Sequence, residues 1–194
     1  SAFCNAGFDN FGSTSLTSFK LNPLVNLVIS FLIIAGGLGF GVWKDLLAAG
    51  RKLLTKDPKT SKTFSRALSN HSRLVLQTTG LLLVGGTVLS WVLELGNPKT
   101  IGQLNVFQQG LVSFFQTVTM RTAGFSTLDY TQTDASTNLV YIIQMLIGGA
   151  PGGTAGGFKI TVAAIIFLLF KAELSGQSQV TYHFRVISSR LVRQ

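Results

Sequence analysis

The chain has 194 residues, of which 12 % are charged and 46 % hydrophobic, with 21 glycines and 15 phenylalanines, and its mean hydropathy is +0.43. So few charges cannot solvate a soluble globule of this length, and the composition is that of a membrane protein. The net charge of +9 does not make a nucleic-acid surface, because its largest cluster is one loop whose only aromatic is Phe64, and the single Cys4 excludes an internal disulfide.

In chain order, the first distinctive stretch is Cys4-Asn5-Ala6-Gly7-Phe8-Asp9, whose core returns as Thr122-Ala123-Gly124-Phe125. In each copy a small residue and a glycine precede a phenylalanine, and a long glycine-interrupted apolar segment follows. Such backbone suits an extended limb whose carbonyl oxygens face an ion better than it suits a packed strand. Residue 1 meets this motif without a signal peptide or the descending helix that a pore loop needs, so a piece of a longer membrane protein is expected. Residues 10–22 are polar and turn-rich, as a return to the outer surface would be. Asn22-Pro23 offers a cap and a first-turn proline, and the uncharged run from Leu24 to Trp43 follows. At roughly 30 Å as a helix, that run crosses a bilayer. A membrane helix is expected over 23–49, closing a first unit of residues 1–50. Its Gly37 and Gly41 either admit a close helix or bend this one.

Lys44, Arg51, Lys52, Lys56, Lys59, Lys62, Arg66 and Arg73 fall between two apolar runs, and Lys171, Arg185, Arg190 and Arg193 trail the last. This is the positive-inside distribution, which makes residues 51–73 a basic cytoplasmic loop. Asp57-Pro58-Lys59-Thr60 marks its turn, and Lys62, Arg66, Asn70 and Arg73 recur at the spacing of a short surface helix. His71 has no other ligand type at metal-binding spacing. Leu74 to Leu93 is the next uncharged run, expected as a membrane helix over 74–95. Gly80, Gly85, Gly86 and Ser90 would form its small-residue face and Trp91 its interfacial anchor. The connection from 94 to 137, with Lys99 and Arg121 against Glu94, Asp129 and Asp134, belongs outside.

Val106 to Val118 is too short to span and directly precedes the second motif. A half-length pore helix is expected over 105–118, its carboxyl end offering partial negative charge to a cation, followed by a filter limb over 121–126. Arg121 should point behind the limb toward an acceptor or carbonyl, since a cation at its base would repel the permeant ion. The last apolar segment, 139–170, is interrupted at Gly148-Gly149-Ala150-Pro151-Gly152-Gly153-Thr154-Ala155-Gly156-Gly157, which cannot remain regular helix. Irregular backbone at membrane depth is tolerated against protein or a water-filled cavity, so this broken helix belongs beside the conduction path as a moving part. Gly152 to Gly157 before Lys159 is similar to a phosphate-binding loop, but the inserted Phe158 and the apolar surroundings argue against that, and no enzyme is expected. Lys159 is read as gate-lining or snorkelling.

Together, Asn5-Ala6-Gly7-Phe8-Asp9, Arg121-Thr122-Ala123-Gly124-Phe125 and the run from Gly148 to Lys159 resemble the membrane subunit of bacterial Trk/Ktr potassium-uptake systems, nearest the Ktr type. This Trk/Ktr/HKT resemblance covers the whole chain. It implies an all-α polytopic membrane protein with helix–pore loop–helix repeats around an ion pore and a broken glycine-rich helix. Residues 1–50 would end a second repeat, 74–170 would be a whole third repeat, and 171–194 the cytoplasmic approach to a fourth.

The resemblance further implies that Asn5, Ala6, Gly7, Phe8, Thr122, Ala123, Gly124 and Phe125 supply two of four filter walls, whose backbone carbonyls replace potassium's hydration shell. Gly7 and Gly124 would set selectivity, and Gly148, Gly149, Gly152, Gly153, Gly156, Gly157 and Lys159 would belong to a gating loop. Asp9, at the outer mouth, would concentrate cations. Ile160 stands where the family usually has threonine after its lysine. Potassium is the implied cargo, with no cofactor. The implied partners are membrane lipid, a cytoplasmic nucleotide-binding regulatory subunit and a second copy of the full-length subunit, in the cell membrane and without nucleic acid. Two other readings stay open: a sodium-permeable or sodium-coupled relative, and a non-conducting scaffold or inactive fragment.

Overall fold

The computed structural model describes residues 1–54, 68–175, 181–182 and 185–186. Among them lie six α-helices: α1 (Pro23–Gly37), α2 (Phe40–Leu54), α3 (Asn70–Glu94), α4 (Val106–Thr119), α5 (Ala135–Leu146) and α6 (Ile160–Leu174). Short 3-10 turns at Ala2–Cys4, Gly12–Thr14 and Thr17–Phe19 precede them, and Thr181–Tyr182 pairs antiparallel with Arg185–Val186 after them. The expected turn at Asp57 to Thr60, and Lys62 and Arg66 of the expected surface helix, lie outside the described residues; Asn70 and Arg73 belong to the first turns of α3.

The helix starts follow from their caps. Asn22 accepts from the N–H groups of Leu24 and Val25 at 3.1 and 3.2 Å, with Pro23 next in line. Ser69 accepts from Ser72 N–H at 3.1 Å, and both serine hydroxyls donate to Asp45, which places a carboxylate of α2 at the amino end of α3. Asn105 and Gln108 form a capping box on α4. At 25 residues, α3 is the one helix among the described residues long and apolar enough to cross a membrane by itself. Leu81, Val84, Val88 and Val92 are exposed along it, as are Leu24, Phe31, Phe167 and Phe170 on α1 and α6. That much outward-facing apolar surface suits lipid, not water.

The helix expected over 23–49 is two helices, broken at Leu38 and Gly39 and bent by 102°. Gly39 has φ +79°, and a Cβ there would lie 2.6 Å from the Pro151 carbonyl oxygen. The segment between α5 and α6 occupies the break: Ala150 N–H donates to Gly37 O at 2.8 Å, Thr154 N–H to Gly36 O at 3.1 Å, and Phe40 N–H to Gly152 O at 3.3 Å. Carbonyls that would have continued the helix are taken by the loop instead. Gly41 has open space at its Cβ position, so of the two readings of the Gly37 and Gly41 pair the bend is the one observed.

Packing centres on α4, which is buried along most of its length against α1 and α3, with Ile33, Phe115, Val118, Ala123 and Phe125 in one core cluster. The expected small-residue face of α3 reduces to Gly86 and Ser90, because Gly80 and Gly85 face open space. At Gly86 a Cβ would overlap the Gln144 side chain and lie 2.7 Å from Thr117 Cγ2. Trp91 donates to Gln109 Oε1 of α4 at 3.0 Å. The expected broken helix over 139–170 is α5, a loop and α6. Gly148 N–H to Phe158 O and Phe158 N–H to Leu146 O, both 2.9 Å, with Ile160 N–H to Gly149 O at 3.0 Å, tie the loop's ends in a parallel bridge. The interruption is therefore a closed loop with a hydrogen-bonded neck.

Candidate functional site

Two short limbs of backbone meet near the carboxyl end of α4. In the first, φ is +49° at Asn5 and +67° at Gly7; in the second it is +63° at Thr122 and +86° at Gly124. Ala6, Phe8, Ala123 and Phe125 have ordinary negative φ. The motifs thus share one conformational pattern, residue for residue, with the left-handed region at the first and third positions. Alternation of hand gathers successive N–H groups on one side of a backbone run and carbonyls on the other, whereas a strand alternates them; Phe125, whose N–H and C=O both meet Thr119 Oγ1, ends that run in the second limb.

The limbs also touch. A Cβ on Gly7 would lie 2.7 Å from the Ala123 carbonyl oxygen and 2.9 Å from Gly124 Cα, and one on Gly124 would lie 3.1 Å from Gly7 Cα. Glycine is required at both places by φ and by close approach. The two phenylalanines differ: Phe125 is 5 % exposed in the core, whereas Phe8 is 81 % exposed.

The second limb is held from behind by α4. Thr119 Oγ1 donates to Phe125 O at 2.7 Å and accepts from Phe125 N–H at 2.9 Å. Gln116 Oε1 accepts from the Thr127 N–H and hydroxyl at 3.4 and 3.3 Å. Past the limbs, Asp9 accepts from Phe11 N–H at 2.9 Å and from Ser15 Oγ at 2.7 Å. Ser15 Oγ accepts from Ser126 N–H at 3.3 Å, and Leu16 N–H donates to Ser126 O at 2.9 Å. Asp9 is thus part of a clasp that joins the exits of both limbs.

Arg121, expected to point behind the limb toward an acceptor or carbonyl, is 4 % exposed. No acceptor for its side chain is found among the described residues, nor any partner for the Asn5 amide; both come close to Gly37 at the break in the α1–α2 pair. Lys159 Nζ donates to Ala155 O at 3.0 Å, so the ammonium is turned onto a carbonyl of its own loop.

The loop reaches the second limb and the turn that leads into the first. Thr154 Oγ1 donates to Phe3 O at 2.9 Å, and Gly156 N–H donates to Thr122 Oγ1 at 2.8 Å. Gly148 and Gly149 lie in the neck, and Gly153 sits where a Cβ would meet Gly37 O at 2.7 Å. Gly152 and Gly157 have φ of +74° and +69°, and Gly156 passes over the Thr122 side chain. Sequence reasoning did not find Gly36, Thr119, Gln116 or Thr154. The polar residues inside the apolar helix α4 were a legible signal for Thr119 and Gln116; Gly36 and Thr154 act through partners 118 and 151 residues away, which no local pattern displays.

The family described as "TrkH: Cation transport protein" matches residues 1–194. A Ktr system potassium uptake protein B from Vibrio alginolyticus is 39 % identical over 97 % of this chain and 39 % of its own length. The potassium/sodium uptake protein NtpJ from Enterococcus hirae is 36 % identical over 99 % and 39 %, and a Ktr system potassium uptake protein B from Bacillus subtilis is 35 % identical over 99 % and 40 %. The chain therefore spans about two fifths of the length of these relatives. The crystal structure of the potassium transporter TrkH from Vibrio parahaemolyticus has a TM-score of 0.69 at 17 % identity, covering 98 % of this chain and 38 % of that one, and its fold is the one seen here. The fold is that of an all-α polytopic membrane protein, and with a family match from end to end the chain belongs to the TrkH cation transport protein family.

Proposed function

We propose that residues 5–8 and 122–125 are two walls of a potassium-selective filter, and that the loop from Gly148 to Lys159 is its gate, in a potassium-uptake protein of the cell membrane. The observation that carries this reading is the shared pattern of positive φ at Asn5 and Gly7 and at Thr122 and Gly124, on limbs in contact at the two glycines. Limb carbonyls replace the hydration shell of the ion, that of Phe125 excepted because Thr119 takes it, and the carboxyl end of α4 adds partial negative charge nearby. Potassium uptake is the activity in the names of the relatives from Vibrio alginolyticus and Bacillus subtilis. Asp9 adds negative charge at the outer mouth while serving its clasp. The protein works in lipid as a homodimer with a cytoplasmic nucleotide-binding regulatory subunit, and it transports potassium without a cofactor.

A second reading, a pathway that also admits sodium, is favoured by the relative named as a potassium/sodium uptake protein. Growth of a potassium-uptake-deficient bacterium at low potassium separates the two. The complete parent gene should rescue growth, and the same gene with Gly7→Ser and Gly124→Ser should lose rescue or make the cells sodium-sensitive. Full rescue by the double variant would overturn the filter assignment. Sodium uptake by the parent as fast as potassium uptake would move the reading to the second.

A further inference from the structure

Building on the filter reading above, we propose that the Thr122 and Thr154 hydroxyls form a latch that ties the glycine loop to the second filter limb and to the turn leading into the first, so that loop position sets ion preference as well as flux. A loop that only plugged a pathway would need no bond to the limbs. This one bonds to the second limb through Gly156 N–H and Thr122 Oγ1, and to the turn that leads into the first through Thr154 Oγ1 and the Phe3 carbonyl, two residues before Asn5. The two loop residues are separated only by Ala155, so a displacement of that segment breaks both bonds together.

Thr122 shows why this matters for the limb itself. A left-handed φ of +63° is rare for a β-branched residue. The equivalent first-limb position holds Asn5, a residue type that tolerates the region, and its amide has no partner among the described residues. Threonine at 122 therefore gains nothing from local preference; what it brings is a hydroxyl that accepts from the loop. Strained backbone persists where its surroundings over-determine it. Loop contact is one such constraint, and its release lets Thr122 relax and moves the carbonyls on either side of it. Thr122 and Thr154 are positioning residues in this scheme, and the loop is the two-state element that biases the filter.

The test uses the full-length protein in proteoliposomes, with potassium and sodium flux measured separately. Thr154→Val should lower the potassium-to-sodium flux ratio by roughly three- to tenfold, the scale of one hydrogen bond, and Thr154→Ser should restore it. Thr122→Val should act in the same direction, and the double variant should be less than additive because both changes open one latch. A parent that prefers potassium, with the same ratio in Thr154→Val and only a changed flux, would overturn the latch while leaving the filter reading intact. A parent without potassium preference would overturn both. A second readout needs no flux: the difference in thermal midpoint between potassium and sodium solutions should shrink in Thr154→Val or, where valine prevents folding, in Thr154→Ala. An unchanged difference would overturn the latch.

Discussion

Thr119 satisfies both backbone groups of Phe125 with one hydroxyl, in a site closed to water. Thr119→Val keeps the shape and strands a buried N–H and a buried C=O, at a cost of about 1–3 kcal/mol. A lower unfolding midpoint in detergent checks this; an unchanged midpoint would show that the limb holds itself. Glu94 works similarly at the carboxyl end of α3: its carboxylate, 1 % exposed, accepts from the Asn97 amide, the Thr100 hydroxyl and Asp134 N–H. Asp129 gives one pH-dependent contribution. The Thr131 hydroxyl and N–H bonded to its carboxylate hold its pKa below the usual value near 3.9. Its contribution to stability is therefore complete above about pH 4 and is lost as pH falls through the lower folded-state value. Asp129→Asn should flatten the acid limb of a stability-versus-pH curve, with the neutral region hardly changed. Such details were only partly visible in the sequence. Asp9 drew notice for its charge, whereas its hydrogen bonds to Phe11 and Ser15 depend on a turn that the sequence does not specify.

Among the elements, α4 was the most legible, expected as a half-length helix at 105–118 and observed as a helix at Val106–Thr119, because length, hydropathy and the motif after it agree. The helix expected over 23–49 was misread for a physical reason. Hydropathy measures whether a segment can lie in lipid, and the run from Leu24 to Trp43 can; it does not register that the Gly36 and Gly37 carbonyls are bonded to a loop more than a hundred residues later. The glycines of α3 give a paired test of packing. Gly86→Ala should destabilise by about 1–3 kcal/mol, because the added methyl overlaps Gln144 and crowds Thr117. Gly80→Ala, facing open space in the same helix, should stabilise by up to about 1 kcal/mol from helix propensity. Equal midpoints for the two variants would mean that the α3–α5 contact is looser than described.

At the scale of the whole molecule, one arrangement joins the parts: a bent α1–α2 pair, a closed loop seated in the bend and bonded to the second limb and to the turn before the first, and an exit clasp that joins the two limbs. The repeat of the motif was legible because glycine and phenylalanine recur at matching places. Its conformational identity was not, since asparagine and threonine occupy the same left-handed position with different local preferences. Gly39→Ala tests the seat of the loop. Its φ of +79° and its approach to Pro151 leave no room for a methyl, so the variant should displace the loop and alter gating while the protein still reaches the membrane. Normal gating would argue that the bend is only structural.

The central claim, that the paired limbs select potassium, is met most directly by potassium and sodium flux through the full-length protein in proteoliposomes, parent against Gly124→Ser. A parent that prefers potassium and a variant that loses at least tenfold of that preference while still conducting, as a misplaced carbonyl wall requires, is the predicted result. A variant with the parent's ion preference would contradict it.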